Sequence, residues 1–273
     1  MMKNKKLGIY IHIPFCARKC NYCDFLSAPE TRETKERYLS LLDREMQLYK
    51  EIVSAREADT LFIGGGTPSF LETDLTDKLL CSVKKWIPSE NLKEFTIECN
   101  PNSVTEEKLN LYKEAGVTRI SLGMQSACDE ELKKLGRLHS VKEFEKTYEL
   151  VRKHGFERVN IDVMAAIPGQ TIESYKHTLE YVVGLSPEHI SSYSLIIEEG
   201  TPFYEKYREN PPVDEDTDRQ MYDLTKEILG RHGYHRYEIS NYAKEGQECI
   251  HNLKYWQGGD YLGLGLGAAS CME

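Results

Sequence analysis

Cys16, Cys20 and Cys23 stand at C-x3-C-x2-C in the stretch IHIPFCARKCNYCDF. That spacing sets three thiolates on one tight loop. A closed iron–sulfur site of the ordinary kind takes four protein thiolates, so three leave one iron of a [4Fe–4S] cube open to a small molecule. The same residues admit a zinc site if a fourth ligand is supplied, and His12 is the nearest candidate. His12, however, lies upstream in the strand-like run IYIHI and would have to fold back past Pro14 to reach the metal. A disulfide is disfavoured, because three clustered cysteines do not pair off and the chain shows no secretory context.

Composition sets the frame around this loop. The chain has 273 residues, 40% apolar, with 19 Gly and 10 Pro, which suits one large α/β domain with at most a small appendage. No run approaches the length of about eighteen apolar residues that a membrane helix requires. The start MMKNKKLGIYIHIPF imitates a basic region followed by a hydrophobic one. His12 and Pro14 interrupt that run and no small-residue cleavage site precedes Cys16, so it is not read as a signal peptide. Eight scattered cysteines suit a reducing cytoplasm. A net charge of −9, from 44 acidic and 35 basic residues, disfavours sequence-independent nucleic-acid binding, which rests on neutralising phosphates.

Strand-like runs at 8–13, 60–63, 94–98, 119–122, 158–164 and 189–196 alternate with amphipathic stretches at 35–53, 75–86, 105–115, 141–154 and 174–183. A further stretch, 216–232, follows the sixth run. Gly116 and Gly155 are placed to end two of the helices. Six such units predict a parallel sheet with right-handed crossovers, a partial (β/α)6 barrel rather than a closed eightfold one. The unusual residues fall where the strands end: the cysteine loop, GGGTPS (64–69), ECNP (98–101), MQS (124–126), IPGQT (167–171) and IIEEGTP (196–202). In a barrel these ends share the face where chemistry sits. Gly64, Gly65 and Gly66 lack a Cβ and let backbone approach a ligand. They match neither a dinucleotide fingerprint nor a P-loop. Arg137 can clamp a carboxylate bidentately, and Glu98 and Asp162 can accept from ribose hydroxyls or an ammonium group.

Nine stretches carry a resemblance: YIHIPFCARKCNYCDF, LFIGGGTPSFL, ECNP, RISLGMQS, LKKLGRLH, NIDVMAAIPGQT, SSYSLIIEEGTPFY, GYHRYEISNYA and HNLKYWQGGDYLGLGLGAAS. In this order, from residue 10 to residue 270, the chain resembles radical S-adenosylmethionine (SAM) proteins of the coproporphyrinogen-oxidase-like family, most closely the haem-chaperone branch. The resemblance implies a TIM-like partial (β/α)6 barrel with a [4Fe–4S] cluster on Cys16, Cys20 and Cys23. It implies SAM contacts from Tyr10, Tyr22, Gly65, Gly66, Thr67, Glu98, Gln125, Arg137 and Asp162, with Ser194 and Ala269 on a looser alignment. A barrel over 1–210 would be followed by a helical or irregular segment, 211–273, leading into a C-terminal domain that this chain lacks.

One position separates the branches. In the oxygen-independent coproporphyrinogen III oxidase pattern another cysteine stands two places after the third ligand, where this chain has Phe25. The expected function is therefore a haem chaperone that binds the cluster, SAM and haem and passes haem to an acceptor protein. The alternative is the radical enzyme itself, an oxidative decarboxylase of coproporphyrinogen or a porphyrin-modifying methyltransferase, with an electron donor if SAM is cleaved. A zinc-dependent barrel hydrolase is a third reading. His251, in HNLKYW, can serve as an axial haem ligand with Tyr255 and Trp256 stacking on a porphyrin, or can close the end of the barrel as a packing residue. Cys249 is a second candidate ligand. Neither nucleic acid nor a membrane span is expected; a homodimer is compatible with the sequence.

Overall fold

The computed structural model describes residues 6–272; the first residues of the basic start lie outside that range. Six parallel strands run in chain order across the sheet: β1 (Leu7–Ile13), β2 (Ala58–Gly65), β3 (Glu94–Cys99), β4 (Arg119–Gln125), β5 (Arg158–Ala165) and β6 (His189–Ser194). The crossovers are α1 (Arg32–Arg56), α2 (Thr73–Trp86), α3 (Glu106–Ala115), the pair α4 (Asp129–Leu135) and α5 (Val141–Lys153), and α6 (Ile172–Leu185). Polar caps start most of them. Thr31, Thr105, Ser140 and Thr171 each accept a backbone N–H from their helix's first turn. The expected glycines at 116 and 155 take left-handed conformations at helix ends.

Strand residues alternate strictly. Ile9, Ile11, Leu61, Ile63, Phe95, Ile97, Ile120, Leu122, Val159, Ile161 and Ile190 are fully buried in the core that the helices cover. Each such side chain contributes about 2 kcal/mol on burial. The residues between them are aromatic, small or polar: Tyr10, Phe62, Thr96, Glu98, Ser121, Asn160, Asp162 and Ser191. Because the side-chain period of a strand is two, these share the other face of the curled sheet. This is the partial barrel the alternation predicts, with an interior that is polar rather than filled by aliphatic layers.

Beyond residue 210 the chain returns to the sheet. After α7 (Pro202–Tyr207), α8 (Glu215–Arg231) packs on α6, where the Tyr175 hydroxyl bonds Thr225 Oγ1 at 2.6 Å. β7 (His235–Arg236) and β8 (Asn241–Ala243) form an antiparallel edge on β6, and β9 (Tyr261–Leu264) lies parallel to β1 at the opposite edge. Segment 211–273, expected to be helical or irregular, contains α8, α9 and loops and also supplies strands at both margins of the sheet. Strands of two to four residues are too short to display periodicity in sequence.

α9 (Ile250–Trp256) closes the end of the barrel at which the strands begin. Its first residues carry no side-chain cap of their own. Glu94, fully buried at the start of β3, fills the role. Its carboxylate accepts from the backbone N–H of Ile250 and His251 at 3.0 and 3.1 Å, from Cys249 Sγ at 3.2 Å and from Arg158 Nη2 at 3.4 Å. An anion at a helix N-terminus is favoured by the unsatisfied amides and the dipole. Replacing Glu94 with Ala strips four donors of their acceptor in a buried site, and should cost about 3 kcal/mol in urea denaturation. Glu94→Gln should cost less, because some of those bonds survive.

Candidate functional site: a thiol-lined cavity

The cysteine loop hangs from the end of β1 and is tied on three sides. Its neck is closed by Cys16 N–H to Ala28 O (3.1 Å) and Ala28 N–H to Pro14 O (3.1 Å). The loop that follows β2 docks onto it through Gly66 N–H to Ile13 O (2.9 Å) and Thr67 N–H to Phe15 O (2.8 Å). The far side is held by the end of α4 and the start of α7. There Arg18 Nη2 donates to Gly136 O, Asn21 N–H to Leu135 O and Phe203 N–H to Asn21 O. Gly66 is required here, since a Cβ would stand 2.8 Å from Phe15 O and 3.0 Å from Cys16 Sγ. Gly65, at φ 115°, would meet the His12 ring at 2.6 Å.

Below this loop lies a cavity of about 690 Å³, within the range of cofactor sites. Its walls include Cys16, Cys20, Cys23, Tyr22, Gly65, Gly66, Thr67, Glu98, Gln125, Arg137, Asp162 and Ser194. Six strand ends and their loops thus bring together twelve of the residues singled out in the sequence. Cys16 Sγ lies 3.5 Å from Thr67 Oγ1, and Arg137 Nη1 points at Cys20 Sγ at 3.8 Å while its Nη2 donates to Gly123 O at 2.8 Å. Arg137 Nε is buried without a partner. Burial, with the neighbouring Cys20 and Cys16, pushes the Cys23 thiol up. Burial, then the nearby Asp162, pushes the Glu98 carboxyl up to about 8, against the backbone N–H of Gly65 that it accepts at 2.9 Å. Asp162 is raised too, chiefly by burial, despite accepting from Asn160 Nδ2 at 2.6 Å.

Gln125 is presented by a device invisible in sequence. A bulge between Gly123 and Gln125 inserts Met124 against β5, and Gln125 takes φ 73°, unusual for a residue other than glycine. Its Oε1 accepts from the Tyr193 hydroxyl at 3.0 Å. Ser194 reaches the cavity wall, but its hydroxyl donates to Asp218 of α8 at 2.5 Å. The cavity also includes Cys99, Arg119, Ser121, Asn160, Ser191, Tyr193 and Asn252, none of which the sequence singled out. The period-2 alternation of β4 and β5 is the signal that could have placed Ser121 and Asn160 on the inner face.

Three expected residues stand elsewhere. Tyr10 stacks beside Phe62 with ring centroids 6.1 Å apart and bonds His12 Nδ1 at 3.1 Å, outside the cavity lining. Ala269 is exposed, with its carbonyl against Gly263 of β9. His251 is 1% exposed at the α9 plug, with Nδ1 against Thr60 Oγ1 (2.9 Å) and Nε2 against the Tyr255 hydroxyl (2.8 Å). Burial pulls it down to about 4, so it is a neutral imidazole with both nitrogens engaged. Cys249, fully buried, bonds Glu94 beside it. Neither offers a free ligand atom, and of the two roles weighed for HNLKYW the placement matches the closing of the barrel's end. His12, the fourth zinc ligand in the alternative reading, is also engaged, its Nε2 lying 2.9 Å from Leu26 O. Among the described residues no group of three or more His, Cys, Asp or Glu is drawn together as a single-ion site, and no helix is long and apolar enough to cross a membrane.

A parallel barrel whose strand ends gather three loop cysteines and one backbone segment cleared by two glycines defines the class. Residues 10–182 match the radical SAM superfamily model, and the chain belongs to that superfamily. Within it the chain belongs to the family of the HemW proteins. It is 40% identical over 264 residues to a protein named haem chaperone HemW of Bacillus subtilis, covering 95% of this chain and 69% of that relative. It is 39% identical over 271 residues to HemW of Escherichia coli, covering 98% and 71%. Among solved structures, the radical SAM enzyme coproporphyrinogen III oxidase (HemN) of E. coli superposes with a TM-score of 0.85 at 22% identity. That match covers 98% of this chain and 65% of the other, so the chain spans just under two thirds of that structure; at this identity the likeness establishes the fold.

Membership of the superfamily implies a [4Fe–4S] cluster and SAM, and the cavity fits both. It offers three thiols on one loop, a guanidinium beside one of them, backbone cleared of Cβ atoms, and half-buried carboxyls facing open space. The Glu98 carboxyl is ordinary in the unfolded chain and raised in the fold, so its contribution to stability is present below about pH 4.5 and is lost as pH rises towards 8. Glu98→Gln should therefore match the parent in thermal unfolding at pH 4.5 and exceed it at pH 8.5 in the ligand-free protein, the gap opening between those values.

Proposed function

We propose that this chain is the cluster- and SAM-binding barrel of a haem chaperone that receives haem and passes it to an acceptor protein. The observation that carries the reading is the convergence of the twelve candidate residues on one cavity, in a chain about 40% identical to proteins named haem chaperones. Phe25 favours this over coproporphyrinogen decarboxylation. The residue is 63% exposed at the cavity mouth, where the oxidase pattern has a cysteine, and a phenyl ring offers neither a thiolate nor a proton. Eight free cysteines accord with a reducing, cytoplasmic setting.

In this reading Cys16, Cys20 and Cys23 hold the cluster, which supplies a low-potential electron and an open iron. Arg137, beside Cys20, stabilises thiolate charge and keeps donor capacity at Nε for a carboxylate. Gly65, Gly66 and Thr67 present backbone along one wall. Glu98, largely protonated at neutral pH, can donate a hydrogen bond where an ionised carboxylate could only accept. Gln125 is held against Tyr193, and the core helices exclude water from behind. Tyr22 packs on Leu135, Met164, Ile167 and Phe203, fixing the loop between its second and third cysteines.

The test is anaerobic reconstitution followed by haem titration, run beside an assay of coproporphyrinogen decarboxylation with SAM and a reductant. Saturable haem binding without decarboxylated product is expected; turnover would overturn the chaperone assignment in favour of the oxidase. Cys20→Ala should abolish the cluster's visible absorbance and SAM binding while far-UV circular dichroism stays unchanged. Arg137→Ala should weaken SAM about tenfold or more with iron content preserved, as expected for a charge-assisted contact. His251→Ala should leave haem affinity as it is and lower the unfolding midpoint, because Thr60 and Tyr255 each lose a hydrogen-bond partner at a buried site.

A further inference from the structure

Arg119 stands at the floor of the cavity and is 2% exposed. It opens β4, whereas Gln125 ends it, so the two are separated by about 20 Å along the strand at 3.3 Å per residue. A guanidinium keeps its charge at any pH a protein survives, and burying it without a counter-ion is strongly unfavourable. The other buried cations have partners: Lys35 donates to Glu72 and Lys108 to the carbonyls of Ser69 and Ser103. So do the half-buried Arg158, on Glu94 and Glu248 O, and Arg137, on Gly123 O. The Arg119 side chain forms no hydrogen bond and no ion pair among the described residues, and its backbone serves only the ladders to β3 and β5.

The carboxylates around it are committed elsewhere. Glu94, the nearest candidate by sequence and level, is held by α9's first amides, Cys249 and Arg158. Asp162 accepts from Asn160 and, like Glu98, is biased towards its neutral form by burial. All three carboxylates, Glu94 first among them, act on Arg119 only through the field and leave its donors without an acceptor. Ser121, one turn of the strand pattern above, accepts from Asn160 Nδ2 at 2.8 Å and retains its own hydroxyl proton to donate into the cavity.

We propose that Arg119, assisted by Ser121, forms a second binding site deep in this cavity, one that takes a carboxylate group. The planar fork of the guanidinium matches the two oxygens of a carboxylate, and the open side of the cavity is the side from which such a group can reach it. The site lies below the residues proposed for the cluster and SAM and does not depend on haem, so it stands or falls separately from the chaperone reading. The carboxylate can belong to a small free acid or to the tail of a larger ligand that enters from the mouth.

The experiment titrates [13C]formate into the intact chain and follows saturable broadening of its carbon resonance, first without SAM and then after cluster reconstitution with saturating SAM. Saturable binding is expected in the first arm, weakened at least tenfold in Arg119→Gln. If the second arm is unchanged, the site takes a free acid; if formate is excluded there, the site receives the carboxylate of a larger ligand. Should Arg119→Gln fail to fold, Arg119→Lys, which keeps the charge and loses the fork, and Ser121→Ala should each weaken binding several-fold. Broadening that does not saturate, or that is the same in the parent and the variants, is adventitious binding only and overturns the proposal.

Discussion

The architecture rests on strict division of labour between the two faces of the parallel strands. Branched aliphatic side chains point out to the helices and account for the core, which leaves the inner face free of any duty to supply hydrophobic stabilisation. That face can carry Glu98, Ser121, Asn160, Asp162 and Ser191 around open space, a load that a barrel packed with aliphatic layers could not accept. The cost is a buried polar interior in which each group needs a partner. Much of the remaining chain answers that need.

The two ends of the barrel answer it differently. At the end where the strands begin, a seven-residue helix is driven against the opening and anchored on a carboxylate from β3. Aromatic rings then continue the contact from Phe62 through His251 and Tyr255 to Tyr261. At the end where the strands finish, no plug exists among the described residues; the cysteine loop is tethered at its neck and its far side and spans the cavity. One end is therefore fixed by packing, and the other by backbone hydrogen bonds that leave thiols, glycines and carboxyls facing inwards.

What was legible in the sequence follows this division. Runs such as FTIEC and VNIDV announce both the strand and its inward polar residues, and the cysteine spacing announces the loop. The glycines of GGGTP declare a close approach, and the contacts of Gly65 with His12 and Gly66 with Cys16 are that approach. Gln125's role was legible by resemblance, but not the bulge and positive φ that aim it, because a bulge leaves the composition of a strand unaltered. His251 looked like a ligand because an imidazole beside Tyr and Trp is a ligand's setting as much as a core's. Its partners come from β2 and its own helix, and the cap that fixes α9 comes from Glu94, more than a hundred residues earlier. Such distant pairings have no local signature. Short strands such as β7 and β8 escape for the same reason, being defined by the neighbour they join.

β9 lies alongside β1, bringing one of the last segments of the described chain against the first. During synthesis β1 can pair with β2 early, but its other margin stays an open row of amides and carbonyls until Tyr261–Leu264 has emerged. Among the described strands, the one that carries the cysteine loop thus precedes the others in the chain and is among the last to be flanked on both sides. Maturation of the thiol loop is tied by topology to the arrival of β9, so a nascent polypeptide that has not yet reached Tyr261–Leu264 would present its cysteines on an unfinished sheet edge.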